Sequence, residues 1–250
     1  MLREAKPVEI FEKRSFLTGQ YALSTEVAGK ADLERAIETL NLKANRPVIV
    51  LVGGADNLDG PQPALEKVAY PIAKAAEKCG AIVVTGGTTA GMMAAIGQVR
   101  KQGGFRFPLL GVAVKKLVAL SSIPTRPGFL SQDTGDKLEP YHTHFLWVPG
   151  SEWGDESSWI ALVATVLAGQ QPSVTVLSNG GAISLHDVMK SLKIDRQVIV
   201  LEDTGRLADE FRRILQPLDI LKIVSAGNEP AVFEAICHTL STEMCNHYTL

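Results

Sequence analysis

The chain has few of the features that assign a protein to a specialised class. Its three cysteines, Cys79, Cys237 and Cys245, are odd in number and follow no metal-binding spacing, which fits a reducing cytoplasm. Apolar runs such as 48–52 have the length of a strand and are too short to cross a bilayer. The formal net charge of -2 gives no electrostatic reason to bind nucleic acid, and the charged N-terminus has no apolar signal-peptide core. We therefore expect a cytoplasmic protein without membrane spans, bound metal or a nucleic-acid partner.

Apolar, β-branched runs alternate along the chain with stretches of helical periodicity. This alternation is typical of β-α-β units in a parallel sheet, and 250 residues are enough for one large core. Strands are predicted at 48–52, 81–84, 108–114, 143–148, 173–177, 197–201 and 220–224. Helices are predicted at 63–78, 90–102, 155–168 and 230–240, with two more ending near 192 and 215.

The predicted fold is a single α/β domain, a Rossmann-like doubly wound parallel sheet over residues 47–240. Residues 1–46 are predicted as an N-terminal extension and residues 241–250 as a loose C-terminal tail. Within the extension, two short strands and a helix are predicted at 8–11, 16–23 and 32–42.

Small residues follow several of the predicted strands at the edge where open parallel sheets bind ligands. Glycines let the backbone approach an anion, and the N-terminus of the next helix attracts a phosphate. One Gly-Gly turn is also common without a ligand, but several at one edge favour an anion site. The residues predicted to contact a phosphate-bearing ligand are Gly53, Gly54, Ala55, Thr85, Gly86, Gly87, Thr88, Thr89, Asn179, Gly180, Gly181, Ser184, Thr204, Gly205 and Arg206.

Arg206 is the charged member of this set and lies in the first turn of a predicted helix, where the dipole disfavours a cation. A bound anion would remove this penalty and accept a bidentate contact from the guanidinium. The alternative is a salt bridge with Asp203, Asp209 or Glu210.

Other polar and aromatic residues lie between the third and fifth predicted strands of the sheet. His142 and His144 would share a face on a strand, and without a third ligand they are predicted as polar ligand contacts or structural histidines. Segment 115–141 has no clear period and is predicted as a loop that closes over a ligand or as a surface insertion. One of the tryptophans clustered here can stack on a base, although core packing is the more frequent role; they are Trp147, Trp153 and Trp159. The acidic residues Glu152, Asp155 and Glu156 are explained by the helix dipole.

The chain contains neither the GxGxxG dinucleotide fingerprint nor the GxxxxGK[ST] phosphate loop. Five motifs in order, VIVLVGGAD, IVVTGGTTAGMM, YHTHFLWV, VTVLSNGG and VIVLEDTGRLAD, resemble the SLOG superfamily. Within it, the chain is similar to the prokaryotic LSDAT group, which is related to the N-terminal region of melastatin (TRPM) cation channels. The resemblance implies a Rossmann-like domain that senses a nucleotide-derived ligand such as ADP-ribose. It places the glycine-rich turns and Arg206 at that ligand, and His142 and His144 match the H-[ST]-H-F pattern.

More distantly, the chain is similar to the lysine decarboxylase-like phosphoribohydrolases, whose pattern is PGGxGTxxE. Here the last glycine and the glutamate of the pattern are altered. Asp187 replaces the glutamate with a side chain one methylene shorter. Three hypotheses remain open: a sensor of a nucleotide derivative, a hydrolase of nucleotide N-glycosidic bonds with Asp187 as the catalytic group, and an oligomerising scaffold without ligand. A homo-oligomer is expected in each case, and no cofactor other than the nucleotide-type ligand is specified.

Overall fold

The structure is a computed structural model and describes residues 12–16, 19–54, 62–119, 135–214 and 219–241. Its strands are β1 Glu12–Ser15, β2 Tyr21–Glu26, β3 Val48–Gly53, β4 Ile82–Thr85, β5 Leu109–Val114, β6 Val118–Ala119, β7 Asp136–Lys137, β8 His144–Val148, β9 Ser173–Ser178, β10 Gln197–Glu202 and β11 Leu221–Ser225. Its α-helices are α1 Leu33–Thr39, α2 Gln62–Cys79, α3 Gly91–Gln102, α4 Ser157–Ala168, α5 Ala182–Leu192, α6 Arg206–Ile214 and α7 Glu229–Thr239.

Nine of the strands form one sheet in the order β1-β2-β8-β5-β4-β3-β9-β10-β11. Only the β1–β2 pair is antiparallel in this described sheet, and the remaining neighbours are parallel. The predicted Rossmann-like, doubly wound parallel sheet is therefore confirmed. None of the helices in the described ranges is long and apolar enough to span a membrane.

The central strand β3 shows why the sheet is covered on both faces. Val48, Val50 and Val52 point into one apolar cluster, whereas Ile49 and Leu51 point into another, and all five are buried. Because successive strand residues face opposite sides, a strand without a polar position needs helices on both faces. Helices α1, α4, α5 and α6 cover the first face, and α2, α3 and α7 cover the second.

The segment that precedes Pro47 contributes to the same sheet. Strand β2 pairs in parallel with β8, and Leu33, Ala36 and Ile37 of α1 are buried in the core of the first face. The predicted strand at 16–23 is wrong in its first half: Gly19 has φ +76, and its N–H donates to the carbonyl of Phe16, so the chain turns here. The predicted strand at 8–11 lies outside the described residues.

Strand β3 is also the point where the order of the sheet reverses. The chain moves from β3 through β4 to β5 and β8 on one side, and then crosses over to β9, β10 and β11 on the other. Ligands of open α/β sheets bind outside the carboxyl ends of the strands at such a reversal, here between β3 and β9.

Candidate functional site

A cavity of about 450 Å³ opens at the carboxyl edge where β3 and β9 are neighbours. Gly53 and Gly54 line it at the end of β3, Gly86 and Thr88 after β4, and Gly181 at the start of α5. Pockets for small molecules have volumes of roughly 300–1,000 Å³ and favour this position in the fold. The reversal of strand order thus places three of the predicted glycine turns around one space.

The turns that follow β9 and β10 are joined by hydrogen bonds. The backbone N–H of Asn179 donates to Thr204 Oγ1 over 2.7 Å, and Asn179 Nδ2 donates to the Thr204 carbonyl over 2.7 Å. Asn179 Oδ1 accepts the N–H of Gly180 over 2.7 Å. Asn179 has φ +59, a left-handed conformation that asparagine adopts more readily than most residues. These contacts fix the turn that leads into α5.

Arg206 is brought to the cavity by the second of these turns. It has φ +50, a conformation that costs a residue with a Cβ about 1–2 kcal/mol. Its guanidinium lies beside two glycines: a Cβ on Gly181 would be 2.6 Å from Arg206 Nη2, and a Cβ on Gly54 would be 3.4 Å from Nη1. The missing side chains at these two positions therefore make room for the guanidinium.

The N-terminus of α5 faces the same space. Gly181, Ala182 and Ile183 line the cavity, and no acceptor in the described ranges takes the backbone N–H of Ala182 or Ile183. The first N–H groups of a helix have no partner inside the helix, and the dipole makes this end positive. Together with Arg206, they form a positively polarised corner with the hydrogen-bond donors that a phosphate requires.

A buried network supports the turn after β4. Glu139 Oε2 lies 2.7 Å from His142 Nδ1, and His142 Nε2 lies 2.8 Å from Thr85 Oγ1, which accepts the N–H of Gly87 over 3.0 Å. Every group is satisfied when the carboxylate accepts from Nδ1 and the hydroxyl of Thr85 donates to Nε2. Thr85, Glu139 and His142 are buried and do not belong to the cavity lining, and their hydrogen bonds hold the turn.

The two histidines do not share a face, contrary to the prediction. His142 precedes β8 and stacks on Phe145 at 5.5 Å between ring centroids, whereas His144 is the first residue of the strand and, as the neighbour of Phe145, points to the opposite side. Burial lowers the pKa of His144 to about 4, and its Nδ1 lies 2.7 Å from Thr143 Oγ1. Among the described residues, no group of three or more His, Cys, Asp or Glu side chains is placed to hold a metal.

Two carboxyl groups line another part of the cavity. Glu156 precedes α4, and both of its carboxylate oxygens accept the N–H of Gly154, at 3.1 and 2.9 Å. Asp187 lies on α5, and its Oδ1 is shielded from solvent without a hydrogen-bond partner. Burial raises the pKa of Asp187 to about 7, and the charge of Glu156 adds to the rise. The hydroxyl of Ser157 works against the rise, although Ser157 Oγ also lacks a hydrogen-bond partner.

The predicted ligand residues divide into two groups. Those that line the cavity are Gly53, Gly54, Gly86, Thr88, Gly181, Ser184 and Arg206, together with Asp187. Those that belong to the same turns without lining it are Thr85, Gly87, Thr89, Asn179, Gly180, Thr204 and Gly205. Ala55 lies outside the described residues, as does 120–134 of the predicted closing loop; from the described part of that loop, Asp136 lines the cavity.

The sequence interpretation missed the role of Glu156 and left that of Trp153 open. Both line the cavity, as do the apolar side chains of Met93 and Ile160. From the sequence alone, the dipole of the predicted helix 155–168 explains Glu156 without a ligand. Glu156 also follows β8, and its place after another strand of the same sheet is the signal that points to the cavity edge.

The fold is similar to that of a solved structure. The structural-genomics protein TM1055 has a TM-score of 0.51 at 16% sequence identity, with 76% of this chain and 99% of that chain covered. The molybdenum cofactor binding protein from the phototrophic bacterium Rippkaea orientalis has a TM-score of 0.46 at 19% identity, with 76% and 97% covered. Residues 46–238 match the family model described as "SLOG in TRPM, prokaryote", and the chain therefore belongs to this family.

Proposed function

We propose that this domain binds a nucleotide-derived ligand, such as ADP-ribose, at the carboxyl edge of its sheet and acts as a sensor of it. The observation that carries the proposal is the corner formed by the Arg206 guanidinium, Gly54, Gly181 and the free N–H groups at the start of α5. A guanidinium and aligned backbone donors are the groups that bind phosphate in proteins.

The size and the walls of the cavity agree with a ligand larger than a single phosphate. Its volume of about 450 Å³ exceeds the need of one anion, and apolar side chains such as Val52, Met93 and Ile160 form part of the lining. A ligand with an anionic end and a less polar remainder suits such a lining. The family match agrees with this proposal, because residues 46–238 include all the residues that line the cavity.

Calorimetric titration with ADP-ribose, AMP, NAD and inorganic phosphate tests the proposal. We expect the nucleotides to bind more tightly than phosphate alone, and Arg206→Ala to weaken the nucleotide by about 10- to 100-fold, because hydrogen bonds to charged groups contribute about 1.5–3 kcal/mol. The matched control is Arg106→Ala, since Arg106 is exposed and does not line the cavity. Absence of nucleotide binding, or equal loss in the two variants, contradicts the proposal.

A second candidate function is hydrolysis of the N-glycosidic bond of the bound nucleotide. The favouring observation is Asp187, which lines the cavity, has an unpartnered buried oxygen and has its pKa raised to about 7 by burial. A carboxyl group with a pKa near the working pH can donate a proton to a leaving base. Chromatographic detection of free base from AMP or ADP-ribose tests this candidate; if no base is released, or if Asp187→Asn releases it at the same rate, Asp187 is not the catalytic group.

A further inference from the structure

We propose that Cys79 and Cys237 form a redox site, in which a small disulfide such as oxidised glutathione links the two sulfurs and so joins α2 to α7. Both residues are free thiols in the structure, and they lie 158 positions apart in the chain. Their spacing in the sequence indicates neither a disulfide nor a metal site, because the fold alone brings them together. Neither residue lines the cavity at the carboxyl edge, so this inference does not depend on the proposed function.

The two sulfur atoms are already in contact. Cys79 Sγ lies 3.5 Å from Cys237 Sγ, whereas the bond of a disulfide is about 2.05 Å long. The sulfurs therefore need to approach each other by only about 1.5 Å, a movement that small side-chain rotations can supply. No rearrangement of the two helices is required for the bond to form.

Other contacts hold the two helices in the register that the pair requires. Lys74 Nζ lies 5.4 Å from the ring centroid of Phe233 and 3.7 Å from Glu229 Oε1. Cys79 follows Lys74 by five residues, and Cys237 follows Phe233 by four, so the second contact lies about one helical turn after the first on both helices. Helices α2 and α7 also pack against each other beside the core of the second face. The meeting of the two sulfurs is thus part of a longer packed seam.

The two thiols are partly covered and keep a stable reduced state. Each is half-buried against the apolar cluster of the second face, so a small oxidant can reach the pair from solvent. Burial, followed by the contact with Cys237, raises the pKa of Cys79 to about 12. Because the thiolate is the form that attacks a disulfide, the protonated thiol of Cys79 reacts slowly at neutral pH. The pair consequently stays reduced until an oxidant accumulates.

The oxidation is a thiol–disulfide exchange in two steps. One protein thiol loses its proton and attacks a sulfur of oxidised glutathione, which breaks that S–S bond, releases one glutathione and leaves a mixed disulfide on the protein. The second protein thiol then loses its proton and attacks the protein sulfur of the mixed disulfide, which releases the second glutathione. Two protein thiols thereby lose two electrons, and one oxidised glutathione gains them to become two reduced molecules.

The bond would join the two halves of the sheet on its second face. Helix α2 follows β3, and α7 follows β11, the edge strand on the other side of the reversal. Cys79 is the last residue of the 18-residue helix α2, so it lies about 26 Å along the helix axis from the end that faces the carboxyl edge. We therefore expect the bond to stabilise the fold at a distance from the cavity.

The test equilibrates the reduced full chain with mixtures of reduced and oxidised glutathione at pH 8, followed by acid trapping and peptide mapping by mass spectrometry. We expect peptides joined through Cys79 and Cys237 to exceed glutathione adducts of these residues at least about tenfold, because the contact between the sulfurs favours the second step. The oxidised chain should have a Tm about 4–15 °C above that of the reduced chain, since a long cross-linked loop restricts the unfolded state.

Two variants control for the position of the cysteines. Cys237→Ser should accumulate the glutathione adduct of Cys79 and show no increase in Tm, because the second sulfur is missing. Cys245→Ser should behave as the unmodified chain; Cys245 lies outside the described residues.

Four results would overturn the inference. They are a chain that remains reduced in excess oxidised glutathione, adducts without the cross-link, a cross-link of Cys79 or Cys237 to Cys245 instead, and a cross-linked chain whose Tm does not exceed that of the reduced chain. Each leaves the proposed function untouched, because nucleotide binding is measured separately on the reduced chain.

Discussion

Substitution of Arg206 separates the contribution of its side chain to binding from the cost of its backbone conformation. Arg206 adopts φ +50, which is unfavourable for arginine and for alanine but not for glycine. Arg206→Ala and Arg206→Gly remove the same guanidinium and all its contacts. Any difference in stability between the two variants therefore reports on the backbone.

The expected difference is the left-handed penalty of alanine less the extra unfolded-state entropy of glycine. The penalty is about 1–2 kcal/mol and the entropy about 0.5–1 kcal/mol, so Arg206→Gly should be more stable than Arg206→Ala by up to about 1.5 kcal/mol, with about 0.75 kcal/mol at the middle of the range. In a domain of this size, that corresponds to a Tm higher by about 1–4 °C.

Binding should respond in a different way. Both variants should lose affinity for ADP-ribose by about 10- to 100-fold, and Arg206→Lys should fall between them and the unmodified chain, because lysine keeps the charge but not the bidentate geometry. Differential scanning calorimetry and titration calorimetry on the same preparations measure the two effects. A glycine variant that is less stable than the alanine variant refutes the strain, and one that binds as the unmodified chain does refutes the phosphate corner.

Three further substitutions examine other parts of the structure. Gly181→Ala places a Cβ 2.6 Å from Arg206 Nη2, so nucleotide affinity measured by calorimetry should fall several-fold while the Tm changes little; unchanged affinity would show that the guanidinium is not needed there. The pKa of Asp187 is about 7 in the folded chain and 3.8 in the unfolded chain, so the free energy of unfolding falls as the pH rises from about 4 to about 7. Asp187→Asn removes this loss and should therefore raise the Tm at pH 8 more than at pH 4. Equal gains at both pH values would contradict the raised pKa. Glu139→Ala removes the acceptor of His142 Nδ1 and of the Tyr141 backbone N–H, and it should lower the free energy of unfolding in urea by roughly 2–5 kcal/mol. A loss below about 1 kcal/mol would show that the network is dispensable.

Most of the sheet could be predicted because its strands are strongly apolar and short. The predicted strand at 48–52 corresponds to Val48–Gly53, and that at 197–201 to Gln197–Glu202. The helices from α2 onward agree within about two residues at their ends, as for 90–102 and Gly91–Gln102, whereas the predicted helix 32–42 ends at Thr39. Periodicity suffices here because each strand is buried on two faces and each helix on one.

The arrangement around the turn after β4 could not be predicted. Glu139 lies in the segment 115–141, which has no clear period, and His142 follows it directly, whereas Thr85, the partner of His142, is 57 residues away in the chain. Only the folded path of residues 135–143 back to β4 brings them together, through the bridge between Thr88 and Leu138. Spacing alone therefore assigned His142 to a strand and to the wrong face.

The two acidic residues Glu156 and Asp187 in the cavity also could not be predicted from the local sequence. A family pattern points to Asp187, but neither its burial nor its neighbour Glu156 follows from local sequence. Glu156 immediately precedes α4 and Asp187 lies in the middle of α5, and these two successive helices pack against each other. Their proximity depends on the tertiary structure, whereas each glycine turn can be predicted from the sequence at the end of its own strand.

The place of the cavity at the reversal between β3 and β9 means that a fragment with only one half of the sheet does not retain it. Its walls come from residues as distant in sequence as Gly53 and Arg206, and a chain cleaved and separated between them keeps only one wall. An unfolded chain likewise has no affinity, so a ligand present at 100 times its Kd would add about 2.7 kcal/mol to the stability of the folded domain. Ligand-dependent resistance to proteolysis can therefore report the assembly of both halves of the sheet.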